Sequence, residues 1–138
     1  MGIDIVDRQT DLDVDQGVLC RVVKKVLEDA GCTKSVSVAL VDADEMKKLN
    51  RSYKGRDDLT DVLAFPMGKG KLLGDVVVCP AKAKMEADAR SCEPMSELLL
   101  YAVHGTLHLL GYDDQGEEAE EMYAKEDEIL GAFGVEVD

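Results

Sequence analysis

The chain has no tryptophan, and its aromatic residues (four Tyr and two Phe) make up 4% of the sequence. Such a shortage excludes a nucleic-acid-binding mode built on rows of stacking rings. Long apolar runs are missing too. None approaches the roughly 20 residues that cross a bilayer, so no membrane association is expected. The opening MGIDIVDRQTDLDVD has neither a basic n-region nor an apolar h-region, and Val6 stands where a myristoylation motif needs Ser or Thr. The expected location is the cytoplasm. Cysteine is present four times, as Cys20, Cys32, Cys79 and Cys92, but never as CxxC and never at zinc-finger spacing. These residues are expected to be buried free thiols.

Basic residues are outnumbered, 16 against 29 acidic, for a net charge of −13. A strongly acidic chain argues at first against a nucleic-acid partner. The distribution is uneven, however. Residues 47–90 carry 10 basic and 6 acidic side chains, whereas residues 113–138 carry 1 basic and 11 acidic. An anionic substrate would be received on the middle stretch. On charge alone, two solvated faces are the favoured explanation of the pattern.

What remains is ordinary for a globular domain: 138 residues, 46% hydrophobic and 33% charged. This suits one domain over residues 1–138. Ile3–Asp7 alternates as a half-buried strand does. Residues 15–30 place Val18, Leu19, Val22, Val23, Val26 and Leu27 on one helical face, with Gly31 as the stop. Val36–Val41 is a second strand. Asp42 then caps a short helix, with Glu45 in capping-box position. A polar loop over residues 53–60 leads into a strand at Asp61–Phe65, a two-glycine turn (MGKGK), and a strand at Leu72–Cys79. Pro80 and Pro94 open two further helices, running to about Arg90 and to Gly111, and a last helix runs from about Glu117 to Gly131. The order βαβαββααα predicts an α+β fold: a four-stranded mixed sheet with helices packed on it, the third and fourth strands forming a hairpin.

Candidate chemistry is concentrated in YAVHGTLHLLGYDDQGE. His104 and His108, the two histidines of the chain, are four apart on the helix 95–110. Residues at i and i+4 share a face, so both rings can reach one metal ion. The bland alternative is a hydrogen-bonded helix face, but Val103, Leu107, Leu109 and Leu110 imply a largely buried helix. Gly111 lets the chain turn back and brings Asp114 toward the open side of the rings. Asp114 could also cap the final helix, with Glu117 completing a capping box. In the H-E-x-x-H motif of zinc proteases the residue after the first histidine is the general base. Here it is Gly105, so peptide hydrolysis loses its main support.

HGTLHLLGYDD resembles the HGxLHLLGYDH signature of the YbeY proteins. Asn50–Pro66 (NRSYKGRDDLTDVLAFP) is similar to that family's N-x-x-Y-R-x-x-x-x-T-D-V-L-S-F-P, and Leu73–Pro80 (LGDVVVCP) to its LGDI strand. The three stretches come in the family's order and cover essentially the whole chain. The resemblance implies a bound metal, usually zinc, held by His104, His108 and Asp114. It implies single-strand endoribonuclease activity, maturation of the 3′ end of 16S rRNA, and work with the small ribosomal subunit or its assembly proteins in ribosome biogenesis and quality control. Two departures stand out. The family's third histidine is Asp114 here, which lowers the site's charge by one and admits harder metals such as manganese. Its arginine is Lys54 here, followed by Arg56, and Lys offers a point charge where Arg offers a planar fork. Lys54 with Arg56 is the candidate catalytic pair, neutralising the phosphate. Asp61 and Asp75 are candidates for orienting a ligand histidine, against a plain strand-end or turn hydrogen bond for each. Two rival functions remain: a metal hydrolase acting on a peptide or small phosphoester, and a non-catalytic ribosome-assembly factor with a structural metal.

Overall fold

The strand segments Val62–Pro66 and Leu72–Val78, apolar at nearly every position, fit a part of the sheet covered on both faces, and the computed structural model, which describes residues 2–68 and 70–135, has this arrangement there. Its elements are β1 (Ile3–Arg8), α1 (Gln16–Asp29), β2 (Ser35–Val41), α2 (Ala43–Lys54), β3 (Val62–Pro66), β4 (Leu72–Val78), α3 (Pro80–Arg90), α4 (Pro94–Leu109) and α5 (Glu118–Ala132). The strands lie in the order β1-β2-β4-β3. β1 with β2 and β2 with β4 are parallel, and β3 with β4 is the antiparallel hairpin that the turn chemistry predicts. That turn includes Lys69, which lies outside the described residues.

Successive strand residues point to opposite faces. Val36, Val38 and Leu40 of β2 and Val76 and Val78 of β4 enter the larger core, together with Leu19, Val22, Val23 and Val26 of α1 and Leu98, Ala102 and Val103 of α4. Val41, Leu63, Val77 and Cys79 enter a smaller cluster on the other face, closed by Met46 of α2. Leu19, Val22, Val23, Val26 and Leu27 of α1 are fully buried, each stabilising the fold by about 1.5–3 kcal/mol relative to exposure.

Element ends differ from the sequence reading where backbone geometry decides them. The loop expected from residue 53 begins two residues later, because α2 runs to Lys54 and stops at Gly55, whose φ of 66° is the left-handed cap conformation. Tyr53 and Lys54 are thus held on a helix rather than a loop. β3 ends on Pro66, which its place at the sheet edge tolerates. The expected buried thiols are realised fully at Cys79, while Cys20, Cys32 and Cys92 are half-buried. Among the described residues, no helix is long and apolar enough to cross a membrane.

Candidate metal centre

α4 is the central helix, buried along almost its whole length, and it crosses the sheet over the β3–β4 hairpin. Close approach is possible because residue 105 has no side chain. A Cβ there would lie 2.7 Å from Cγ1 of Val76 and 2.8 Å from Cγ2 of Val62. The position that carries the general base in zinc proteases is therefore pressed against the sheet, and no acidic side chain fits it. His104 and His108 flank this contact on the partly exposed edge of the helix.

The two rings are oriented from behind. Nδ1 of His104 lies 2.7 Å from Oε1 of Glu126 on α5, and Nδ1 of His108 lies 3.1 Å from the Tyr112 carbonyl oxygen. Both acceptors favour the proton on Nδ1, which leaves the Nε2 lone pairs free. Those two Nε2 atoms face each other at 3.0 Å. Oδ2 of Asp114 completes the triangle, 3.4 Å from Nε2 of His104 and 3.6 Å from that of His108. Bonds of about 2.0–2.1 Å at tetrahedral angles separate neighbouring donor atoms by about 3.3–3.4 Å. The observed edges bracket that value, so the donor set fits one small divalent ion. Two lone pairs aimed at each other across 3.0 Å also need a positive charge between or beside them. Among the described residues this is the group of three or more potential ligands that could share an ion, and no cysteine belongs to it.

Electrostatics act on His104 in both directions. Burial pulls its proton affinity down, but the hydrogen bond and charge of Glu126, with the charges of Asp114 and Asp61, outweigh that and raise it. The environment is thus built to favour positive charge at this ring.

The sequence alternative for Asp114, a cap on the final helix, does not hold. α5 begins after Glu117, which already has helical backbone angles and makes no side-chain cap hydrogen bond. The turn is shaped by Asp113, whose Oδ1 accepts from the Gln115 N–H at 3.0 Å. Asp114 is thereby left to face the histidines.

In front of the three donors is a cleft of about 430 Å³ lined by Lys54, Thr60, Asp61, Val62, Ala64 and Pro66 along with His104, Gly105, His108 and Asp114. Lys54 reaches it from the last turn of α2. Arg56 does not line it; its guanidinium pairs with the Asp58 carboxylate at 3.2 Å on the surface. Asp61 lines the cleft, but its Oδ1 accepts the Val62 N–H at 2.7 Å, a strand-start hydrogen bond. Asp75 alternates with Val76 and Val78 on β4 and so points to the α2 face, away from the histidines. The residue that does orient a histidine is Glu126, which the sequence reading did not single out. Its signal is an acid on an apolar stripe, since Met122, Glu126, Ile129 and Leu130 form the buried face of α5.

Geometry thus defines an α+β protein with a two-histidine, one-carboxylate site at the base of a cleft on its central helix. A sequence profile described as Endoribonuclease YbeY matches residues 4–134. Relatives named Endoribonuclease YbeY include one from Salinispora tropica, 38% identical with 96% of each chain covered. Another, from Carboxydothermus hydrogenoformans, is 39% identical over 96% of this chain and 98% of the relative. The solution structure of TM1509 from Thermotoga maritima is similar at a TM-score of 0.66 and 28% identity, covering 96% of this chain and 91% of that one. The chain belongs to the YbeY family.

Proposed function

We propose that this chain, as one domain over residues 1–138, is a metal-dependent endoribonuclease. It cuts single-stranded RNA and serves the 3′-end maturation of 16S rRNA, ribosome biogenesis and ribosome quality control. The observation that carries the reading is the convergence of His104 Nε2, His108 Nε2 and Asp114 Oδ2 at the base of a cleft that Lys54 also lines. Family membership supports the substrate class, since the relatives are named endoribonucleases.

His104, His108 and Asp114 would hold the ion, and zinc suits their number, donor types and spacing. When bound, a divalent ion supplies Lewis acidity toward a phosphodiester. The chain's own residues do the rest. Glu126 and the Tyr112 carbonyl fix the ring orientations. Lys54 places a positive charge on the cleft wall, where a phosphate oxygen would be received. Arg56, paired with Asp58 outside the cleft, contributes through the general field of the basic middle stretch, and Asp61 tunes charge at His104. The small ribosomal subunit or its assembly proteins are the proposed partners, and the cytoplasm the proposed location.

The rival readings are not favoured. Gly105 packs where a peptidase would need its general base, and the three donors open onto a cleft instead of being closed by a fourth ligand. The test is cleavage by zinc-loaded protein of single-stranded RNA, duplex RNA and a peptide panel. The expected result is cutting of single-stranded RNA alone. Cutting of peptides without RNA cleavage would overturn the reading.

A further inference from the structure

Beside the metal-site cleft lies a second hollow. It is a cavity of about 380 Å³ walled by α3, α4 and α5, and it meets the cleft at Asp61 and His104, which line both. Nε2 of His104 belongs to the metal site, while its Nδ1 meets Glu126, which lines the cavity.

Two of the lining residues hold polar atoms that the fold leaves unpaired. Oε2 of Glu97 and the hydroxyl of Tyr101 have no hydrogen-bond partner among the described residues. Glu97 is 6% exposed and Tyr101 5%, so bulk water does not replace the missing partners. The other oxygen of Glu97 is taken by Arg90, whose Nη1 lies at 3.3 Å. Burial, and then the negative charges of Glu97, Asp61 and Glu86, push the proton affinity of the Tyr101 hydroxyl up. All three acids line the cavity, so the hydroxyl end of the ring lies among the cavity's charged groups and stays protonated. Folds rarely leave a buried donor or acceptor unpaired, because each one costs stability. An unpaired donor and an unpaired acceptor on one cavity suit a ligand that carries the complementary pair.

Charge decides which ligand. Asp61, Glu86, Glu97 and Glu126 outnumber Lys82 and Arg90, and those two cations are already paired with Glu86 and Glu97. A phosphate would be repelled here. A neutral nucleobase would not, and every base carries a donor next to an acceptor on its Watson–Crick edge. Tyr123, 51% exposed, adds a flat apolar wall on the solvent side.

We propose that this cavity receives one unpaired base of the RNA by its Watson–Crick edge, which pairs with Glu97 Oε2 and the Tyr101 hydroxyl, beside the phosphate received in the cleft. The proposal rests on the endoribonuclease reading. It adds a physical source of single-strand selectivity, since in a duplex that edge is already taken. It also implies tolerance of base identity at that nucleotide, because one donor and one acceptor match all four bases.

The experiment uses zinc-loaded full chain and three oligouridylates: unmodified, methylated throughout at N3, and methylated throughout at C5. The N3 methyl removes the donor of the Watson–Crick edge, whereas the C5 methyl lies off that edge. Uniform modification makes the position of the cut immaterial. Wild type is expected to cleave the unmodified and C5-methylated strands with similar KM, and the N3-methylated strand with KM higher on the order of tenfold. Tyr101→Phe should raise KM for the unmodified strand on the order of tenfold, with the metal retained and the melting temperature not lowered, because the hydroxyl has no partner in the fold. Equal KM on all three strands in wild type, or wild-type KM in Tyr101→Phe, would overturn the base pocket while leaving the nuclease reading intact. A clearly lower melting temperature in Tyr101→Phe would overturn it as well, by showing a hydroxyl that serves the fold. Wild-type protein that cleaves neither these strands nor a mixed-sequence single strand would overturn the nuclease reading itself.

Discussion

Glu126 and His104 are 22 positions apart in sequence, yet Oε1 of one lies 2.7 Å from Nδ1 of the other, and the Glu126 side chain is 6% exposed. A carboxylate held this deeply needs a partner, and the ring it meets is the one whose opposite nitrogen faces the proposed ion. Glu126→Gln should lower metal affinity by about 10–100-fold, as loss of an orienting carboxylate does. Competition titration against a chelator reads the change. Unaltered affinity would show that the ring is positioned without this contact.

Asp114 carries no helix-cap hydrogen bond, so its role separates cleanly from stability. Asp114→Asn should weaken metal binding strongly while leaving the melting temperature of the metal-free protein unchanged. Asp114→His, which restores the family's residue, should keep binding and shift preference toward zinc. Both variants are compared by metal content and thermal denaturation.

Gly105 sets how closely α4 approaches the hairpin. Gly105→Ala would drive a methyl to within 2.7 Å of Val76 and 2.8 Å of Val62. Overpacking of this kind destabilises by about 1–3 kcal/mol, here with displacement of both flanking histidines. Chemical denaturation should show the loss, and metal titration should show weakened binding in the same variant.

Lys54 and Arg56 should separate. Lys54→Ala should reduce RNA cleavage and leave the metal in place, since no ligand changes, while Lys54→Arg should retain or raise activity. Arg56→Ala should have a much smaller effect, because Arg56 pairs with Asp58 away from the cleft. Charge reversal at Glu120 or Glu121 on α5 should matter little. Cleavage rates at several salt concentrations check all four, and binding should weaken steeply with salt if phosphate contacts dominate.

The element order, the hairpin and the histidine pair were legible because each has a local signature: alternation, two glycines in a turn, and i,i+4 spacing. The sheet order β1-β2-β4-β3 was not, because parallel pairing joins strands distant in sequence and leaves no local mark. Lys54 was legible as a charge but not as part of a helix, since Gly55 decides where α2 ends. Asp61 and Asp75 looked equivalent in sequence, yet strand alternation sends Asp75 to the far face of the sheet. Glu126 could have been found as the acid interrupting an apolar stripe, but which histidine it meets depends on how α5 packs on α4.

The central claim is that one ion held by His104, His108 and Asp114 is required for RNA cleavage. The most direct measurement strips the protein with a chelator and restores zinc in substoichiometric steps, following cleavage of a single-stranded RNA in wild type and His108→Ala. The account predicts that activity disappears on stripping, returns in proportion to zinc up to one equivalent, and stays absent in His108→Ala. Full cleavage by stripped protein, or by His108→Ala without bound metal, would contradict it.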